Sequence, residues 1–289
     1  LPVFAFATGL LMPRSVDRDG RGAYLRRRLA TLAWIYLLWT LIEGTAEVLT
    51  SSVKNVPVTW GDVFAVWRPL GHLWFLPLLA IATIVVVAVA PWRPGRVRAA
   101  ALVAVSVLSL SAWGWGLDNV FARGLALIVF FLVGSAITGA RLAAATSRLP
   151  SWTVGVAGAA GLAVWVGTAS VPWVTTPTIV DDSRTFASVA LGMLGSFAAL
   201  VGVWGVSLLL ARTRRAGGWL SYIGRLSLQV YLAHILFTAA TRIVLVRLGV
   251  LDAGVHLALG VVAGVVGPLL LERVTRPVPW LFAAPWDRR

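Results

Sequence analysis

Long apolar stretches separated by short polar connectors run the length of the chain. After a first stretch at 1–12, they fall near 29–48, 72–90, 99–116, 120–140, 151–171, 186–211, 226–246 and 255–272. Each holds roughly 18–26 residues, and a bilayer's hydrocarbon core takes about 20 residues of helix. The pattern predicts an all-α fold: a polytopic transmembrane helical bundle with about eight full spans. Barrel strands would alternate in polarity, and an open sheet would leave backbone groups unsatisfied in lipid. Pro/Gly/Arg-rich connectors punctuate the runs, Pro91-Trp92-Arg93-Pro94-Gly95 most clearly. No internal repeat and no long linker interrupts them, so residues 1–289 read as one integral-membrane domain. The first stretch meets Pro13 and Arg14 too early to span. It reads as the end of a helix that begins upstream.

Composition agrees. The chain is 59% hydrophobic and 12% charged, where an ordinary soluble domain is about 25% charged. Mean hydropathy is +0.86. The net charge of +14 would suggest nucleic acid in a soluble protein. Its distribution points elsewhere. Alternate connectors (13–28, 91–98, 141–150, 212–225 and 273–289) carry 19 of the 25 Lys and Arg residues. The opposite set carries Lys54, Arg68, Arg123, Arg184, Arg242 and Arg247, with acids that include Asp62, Asp118, Asp181 and Asp182. Positive charge collects on the cytoplasmic side, which puts the C-terminus in the cytoplasm of a plasma-membrane protein. The charge then reads as topogenesis and contact with anionic lipid, with no nucleic-acid partner. Trp60, Trp67, Trp92, Trp113, Trp115, Trp173 and Trp219 fall at span ends, where amphipathic rings anchor. Trp34, Trp39 and Trp165 lie deeper and read as helix packing. Zero cysteines exclude disulfides and a thiolate nucleophile. The three histidines lie in separate segments without ligand spacing, so no metal site is expected.

A few polar groups lie inside the runs and need a reason. Residues 71–76 read Gly-His-Leu-Trp-Phe-Leu. Gly71 permits close approach, His72 offers a base or donor, and Trp74 and Phe75 offer a ring wall. An interfacial aromatic anchor is the alternative. Ser227, Tyr231 and His234 share a helix face by their spacing of four and three. His234 then lies roughly 13 Å along the helix, where polar groups usually face a bundle interior or a wet cavity. An interhelical hydrogen-bond set is the structural alternative. Glu43 falls inside the 29–48 run. A mid-helix carboxylate costs roughly 2.5–3.5 kcal/mol on insertion scales, so a partner is expected. That partner is an acceptor hydroxyl, a proton relay, or a structural pair with Arg68 or Arg242. Arg26, Arg27 and Arg28 cluster where a helix enters the membrane, and guanidinium suits the phosphates of a nucleotide-bearing donor. Asp181 and Asp182 read as solvated loop acids.

Four stretches, taken in order, resemble the membrane-bound acyltransferase 3 family. They are Val3-Phe4-Ala5-Phe6-Ala7-Thr8-Gly9-Leu10; Tyr24-Leu25-Arg26-Arg27-Arg28 with Tyr36 and Trp39; Gly71 with Trp74 and Phe75; and Gly224, Ser227, Tyr231, Leu232 and His234. The chain departs from the family pattern at Thr31 and Ile35, which stand where an arginine and a proline are usual. The arginine and catalytic histidine of the family's first helix have no counterpart in residues 1–289. The resemblance therefore places the base upstream and implies about ten helices in the complete fold. It implies transfer of an acyl group, acetyl in most members, from cytoplasmic acyl-CoA to a hydroxyl of a carbohydrate or related acceptor. Acyl-CoA enters as co-substrate, and no permanently bound cofactor is implied. Carried onto this sequence, Arg27 and Arg28 are candidates for the CoA phosphates. His72 and His234 are the catalytic candidates, and Gly71, Trp74, Phe75, Ser227, Tyr231 and Glu43 the substrate-binding ones. A transporter or flippase using Glu43 and His234 as a proton relay, and a non-catalytic membrane scaffold, are the competing readings. The sequence leaves acceptor identity, acyl length and oligomeric state open.

Overall fold

The computed structural model describes residues 1–51, 58–68, 70–116 and 119–287. Lys54, Asp118, Arg288 and Arg289, used in the charge count, lie outside them. The described residues are helical throughout, with no strand. In chain order the helices are α1 Pro2–Asp19, α2 Arg21–Leu49, α3 Trp60–Phe64, α4 Phe75–Val89, α5 Arg96–Ser111, α6 Ile128–Ile137, α7 Gly139–Ser147, α8 Ser151–Ala169, α9 Phe186–Ala211, α10 Arg214–Arg225, α11 Ser227–Arg247 and α12 Ala253–Val274.

Five of these, α2, α8, α9, α11 and α12, are long and apolar enough to cross a membrane. This is fewer than the eight read from sequence, and the reasons are local. The run 120–140 is broken at Thr138, whose φ of 62° bends the preceding helical segment from α7 by 66°. Counting that pair as one span makes six. α4 has 15 residues and α5 has 16, both short of a full crossing. α4 stops at Ala90, which adopts a left-handed conformation directly before Pro91. α10 lies where the sequence reading put a connector.

The chain forms two compact units. The first comprises Leu1–Leu29 and Trp74–Arg214. Its centre is α1 against α6, brought to backbone contact by two glycines. A Cβ on Gly9 would lie 2.3 Å from the Phe131 carbonyl oxygen, and one on Gly134 would lie 2.3 Å from that of Phe6. Aromatic rings pack around this contact, with Phe75 edge-on to Phe4 and stacked on Phe131. α8 and α9 meet in the same way, Gly158 on Gly205 and Gly161 on Gly202. Small residues at such a seam let two helices approach where no hydrophobic force distinguishes side chain from lipid.

Polar ties close the ends of this unit. Trp113, read as an interfacial anchor, is instead fully buried, its indole N–H donating to the Thr175 carbonyl at 2.9 Å. Asp181 is likewise not a free loop acid: it accepts from the Thr175 and Ser183 hydroxyls at 2.7 and 2.6 Å. At the other end Asp17 accepts from the Trp92 indole and from Arg93. The Arg93 hydrogen bond holds the Asp17 carboxyl below its ordinary value.

The second unit comprises Ala30–Leu73 and Arg215–Arg289. α11 and α12 form its helical hairpin, joined through residues 248–252, with Asp252 capping α12 by accepting from the Val255 N–H. The segment after α12 returns along α2. The Trp39 indole donates to the Leu281 carbonyl at 2.8 Å and the Trp34 indole to that of Trp280 at 3.0 Å. Thr31 donates to Asp287. These two deep tryptophans do pack, as read from sequence, but onto the C-terminal segment.

The α8–α9 seam yields a contrast within one helix. A side chain at Gly161 would meet the Ala198 oxygen at 2.6 Å and the Gly202 nitrogen at 2.7 Å, whereas Gly167 has nothing within 4 Å. Gly161→Val is expected to destabilise by about 1–3 kcal/mol through overpacking. Gly167→Ala is expected to be neutral or to stabilise by about 0.5–1 kcal/mol through helix propensity. Thermal unfolding of the detergent-solubilised variants measures both.

Candidate functional site

The second unit gathers four of the polar side chains singled out from sequence: Glu43, His72, Tyr231 and His234. α2 presents Tyr36, Thr40, Glu43 and Glu47 at spacings of four, three and four, hence along one face. Thr40 and Glu43 are buried, with 2% and 4% exposure. Gly71 has a φ of +49°, a left-handed turn that a residue with a Cβ adopts only under strain, and this turn presents His72. Tyr231 and His234 sit one turn apart on α11, and Ser227 opens that helix on the same face.

Reciprocal hydrogen bonds lock the turn to α11. The Tyr231 hydroxyl donates to the His72 carbonyl. His72 Nε2 lies 2.7 Å from the Tyr231 carbonyl, and His234 Nδ1 lies 2.7 Å from the same oxygen. A carbonyl can only accept, so both nitrogens carry the hydrogen. The tautomers follow: in the neutral rings the basic nitrogen is Nδ1 of His72 and Nε2 of His234. His72 Nδ1 is buried without a hydrogen-bond partner among the described residues. The two imidazoles meet edge to face with centroids 4.8 Å apart, and the Tyr231 ring lies 4.8 Å from His72. Glu43 completes the group. Its Oε1 is 3.7 Å from His72 Nε2 and has no hydrogen bond of its own. The partner expected for this carboxylate is thus His72, where the sequence reading offered Arg68 or Arg242.

His234 also lines a cavity of about 400 Å³ between α11 and α12. Val230, Leu257, Val261 and Val265 make it mostly apolar, with Thr238 and His256 as further polar groups. His256 Nε2 donates to the Val250 carbonyl at 2.8 Å.

The remaining candidates lie in the first unit. Trp74 and Phe75 are buried in its core, with 6% and 1% exposure. Arg123 sits over the Trp74 ring, 5.3 Å from its centroid. A Cβ on Gly124 would be 2.4 Å from that ring, so the indole is held tightly. Arg27 is exposed and pairs with Asp19, which also binds Arg18 at 2.6 Å. Arg18 and then Arg27 lower the Asp19 carboxyl to about 2. Arg28 is half-buried. Tyr36 and Thr40 were not singled out for the polar face of α2, although the spacing that joins them to Glu43 was available.

A half-buried cluster of histidines and tyrosine around a buried carboxylate, among apolar helices, defines a membrane protein with acid–base groups gathered at one place. A family model described as an acyltransferase domain, that of the acyltransferase 3 family, matches residues 1–273. The chain belongs to this membrane acyltransferase family and is an enzyme that transfers acyl groups. No curated protein and no solved structure matches it.

The Glu43–His72 contact predicts energetic coupling. His72→Gln alone and Glu43→Gln alone should each destabilise, and the double variant by less than their sum. A coupling energy of about 0.5–3 kcal/mol is expected for groups in one such network. A double-mutant cycle by thermal unfolding in detergent measures it, and simple additivity would remove Glu43 from the site.

Proposed function

We propose that the protein moves an acyl group from acyl-CoA to a hydroxyl of a carbohydrate or related acceptor, with the cluster around Tyr231 at the reacting groups. The observation that carries this reading is the pair of histidines whose tautomers are both set by one backbone carbonyl. O-acyl transfer needs a base to take the hydroxyl proton as the oxygen attacks the thioester carbonyl. The C–O bond forms, the C–S bond breaks, and the proton passes to the leaving thiolate. Donors must also stabilise the developing oxyanion.

The family resemblance gives the base to a histidine in a helix preceding these motifs. His234, on the wall of the apolar cavity, then orients the acceptor by accepting at Nε2 from one of its hydroxyls. His72 hydrogen-bonds on the acceptor side, its turn fixed by Gly71 and Tyr231, and Glu43 holds His72 in place. The cavity between α11 and α12 suits the apolar part of an acyl group or acceptor. Arg27 and Arg28 are the proposed contacts for the phosphates of the donor. Trp74 and Phe75 hold the start of α4.

The test uses the full-length protein in detergent or nanodiscs with acetyl-CoA and a panel of hydroxylated acceptors. Thiol release that depends on the acceptor is expected. His234→Ala should lower turnover by about 10²-fold or more, the cost of misplacing a reacting group. Unchanged turnover in a folded His234→Ala protein would remove His234 from the site. Acceptor movement across the membrane without thiol release would favour a flippase.

A further inference from the structure

α10 is the helix that sequence reading passed over, and it is built for an interface. Its residues run Arg-Arg-Ala-Gly-Gly-Trp-Leu-Ser-Tyr-Ile-Gly-Arg. Charged ends and a Trp–Tyr pair in 12 residues suit a short helix lying at the membrane boundary and not across it. Between α10 and the last turns of α12 lies a groove of about 820 Å³. Trp219 and Tyr222 form the α10 wall. The α12 wall is aliphatic through Leu270, then carries Arg273 one turn on, with Arg276 in the turn after the helix. Gly218 keeps the groove open, since a Cβ there would meet nothing within 4 Å.

The order of these groups matches one chemical class. Leu270 is 58% exposed and belongs to a helix apolar enough to span, so this part of the groove borders acyl chains. Arg273 follows at roughly 4.5 Å along the axis and Arg276 lies in the turn just past the helix end, the position of a headgroup phosphate. Trp and Tyr prefer that same depth. Arg276 lies 3.5 Å from Glu272 Oε1, so one arginine is partly offset and Arg273 supplies the net positive charge. A net positive groove favours a headgroup with net negative charge over a zwitterionic one.

We propose that the groove between α10 and α12 seats one anionic glycerophospholipid from the leaflet at the C-terminal end of α12. This site is independent of the acyl-transfer chemistry and uses none of its residues. The test is native mass spectrometry of the full-length protein, equilibrated in mixed micelles with equimolar phosphatidylglycerol and phosphatidylcholine. One retained phosphatidylglycerol is expected, preferred roughly fivefold or more, as an arginine near an anionic headgroup supplies. Arg273→Gln with Arg276→Gln should abolish the preference. Gly218→Leu should abolish retention of either lipid with both arginines intact. Thermal unfolding establishes that each variant is folded. Should the double variant fail to fold, Gly218→Leu and the lipid competition decide. Three results overturn the proposal: no preference in the parent protein, undiminished retention in folded variants, or stoichiometric displacement of the lipid by coenzyme A, which would make the groove a nucleotide site.

Discussion

The Tyr231 carbonyl accepts from two imidazoles, while the Tyr231 hydroxyl donates back to the His72 carbonyl. Much of the second unit's chemistry depends on this exchange. Within the hydrocarbon region no water is available to satisfy a stray donor, so each polar group needs a partner in the chain. Here one residue of α11 supplies acceptor and donor together. The turn at 71–73 is thereby fixed to α11, and two histidines distant in sequence are brought to 4.8 Å. The same exchange leaves specific atoms unused. His72 Nδ1 and Glu43 Oε1 are buried without hydrogen bonds, and a buried polar atom in that state costs about 1–3 kcal/mol.

Much of the fold was legible because apolar runs announce themselves. The run 186–211 coincides with α9, and those at 226–246 and 255–272 fall within two residues of α11 and α12 at each end. What hydropathy could not give was continuity. The 120–140 run is apolar to its end, yet Thr138 turns the chain by 66° in the middle of what would be one span. α10 was passed over for the opposite reason. Gly217-Gly218 inside a basic segment reads as a connector, because glycine weakens a helix by about 1 kcal/mol and no apolar run supports it. Its helix shows instead as an amphipathic pattern over 12 residues, which a search for long apolar runs passes over.

The site divides along the same line. Ser227, Tyr231 and His234 share a helical face, and helical spacing is a property of the sequence. The meeting of His72 with Tyr231 is not, since 159 residues separate them. Glu43 shows the difference most clearly. The need for a partner follows from its position in an apolar helix, but arginine was the obvious candidate and histidine is the one the fold supplies. Where the sequence offered a structural pair with arginine, the structure sets the carboxylate 3.7 Å from an imidazole that is itself hydrogen-bonded to α11. Trp113 and Asp181 follow the same logic. Each was read alone, and each is claimed by one threonine, Thr175, which lies 62 residues from Trp113 and 6 from Asp181.

Glycine makes room for different groups in the two helix pairs: backbone in one, side chains in the other. Between α8 and α9 the glycines face one another, so the backbones close to contact and nothing else fits. On α12 they face larger groups. Gly264 opposes Thr238 and His234, and Gly267 opposes the Phe237 ring. The α11 side chains occupy the space the glycines leave. Gly260 then has nothing within 4 Å of where its Cβ would be, and the gap persists as the cavity of about 400 Å³ beside His234. A valine in that position would fill part of it. The cavity therefore follows from glycine set against bulk at one end of the hairpin and against nothing at Gly260, which gives His234 an apolar space to face.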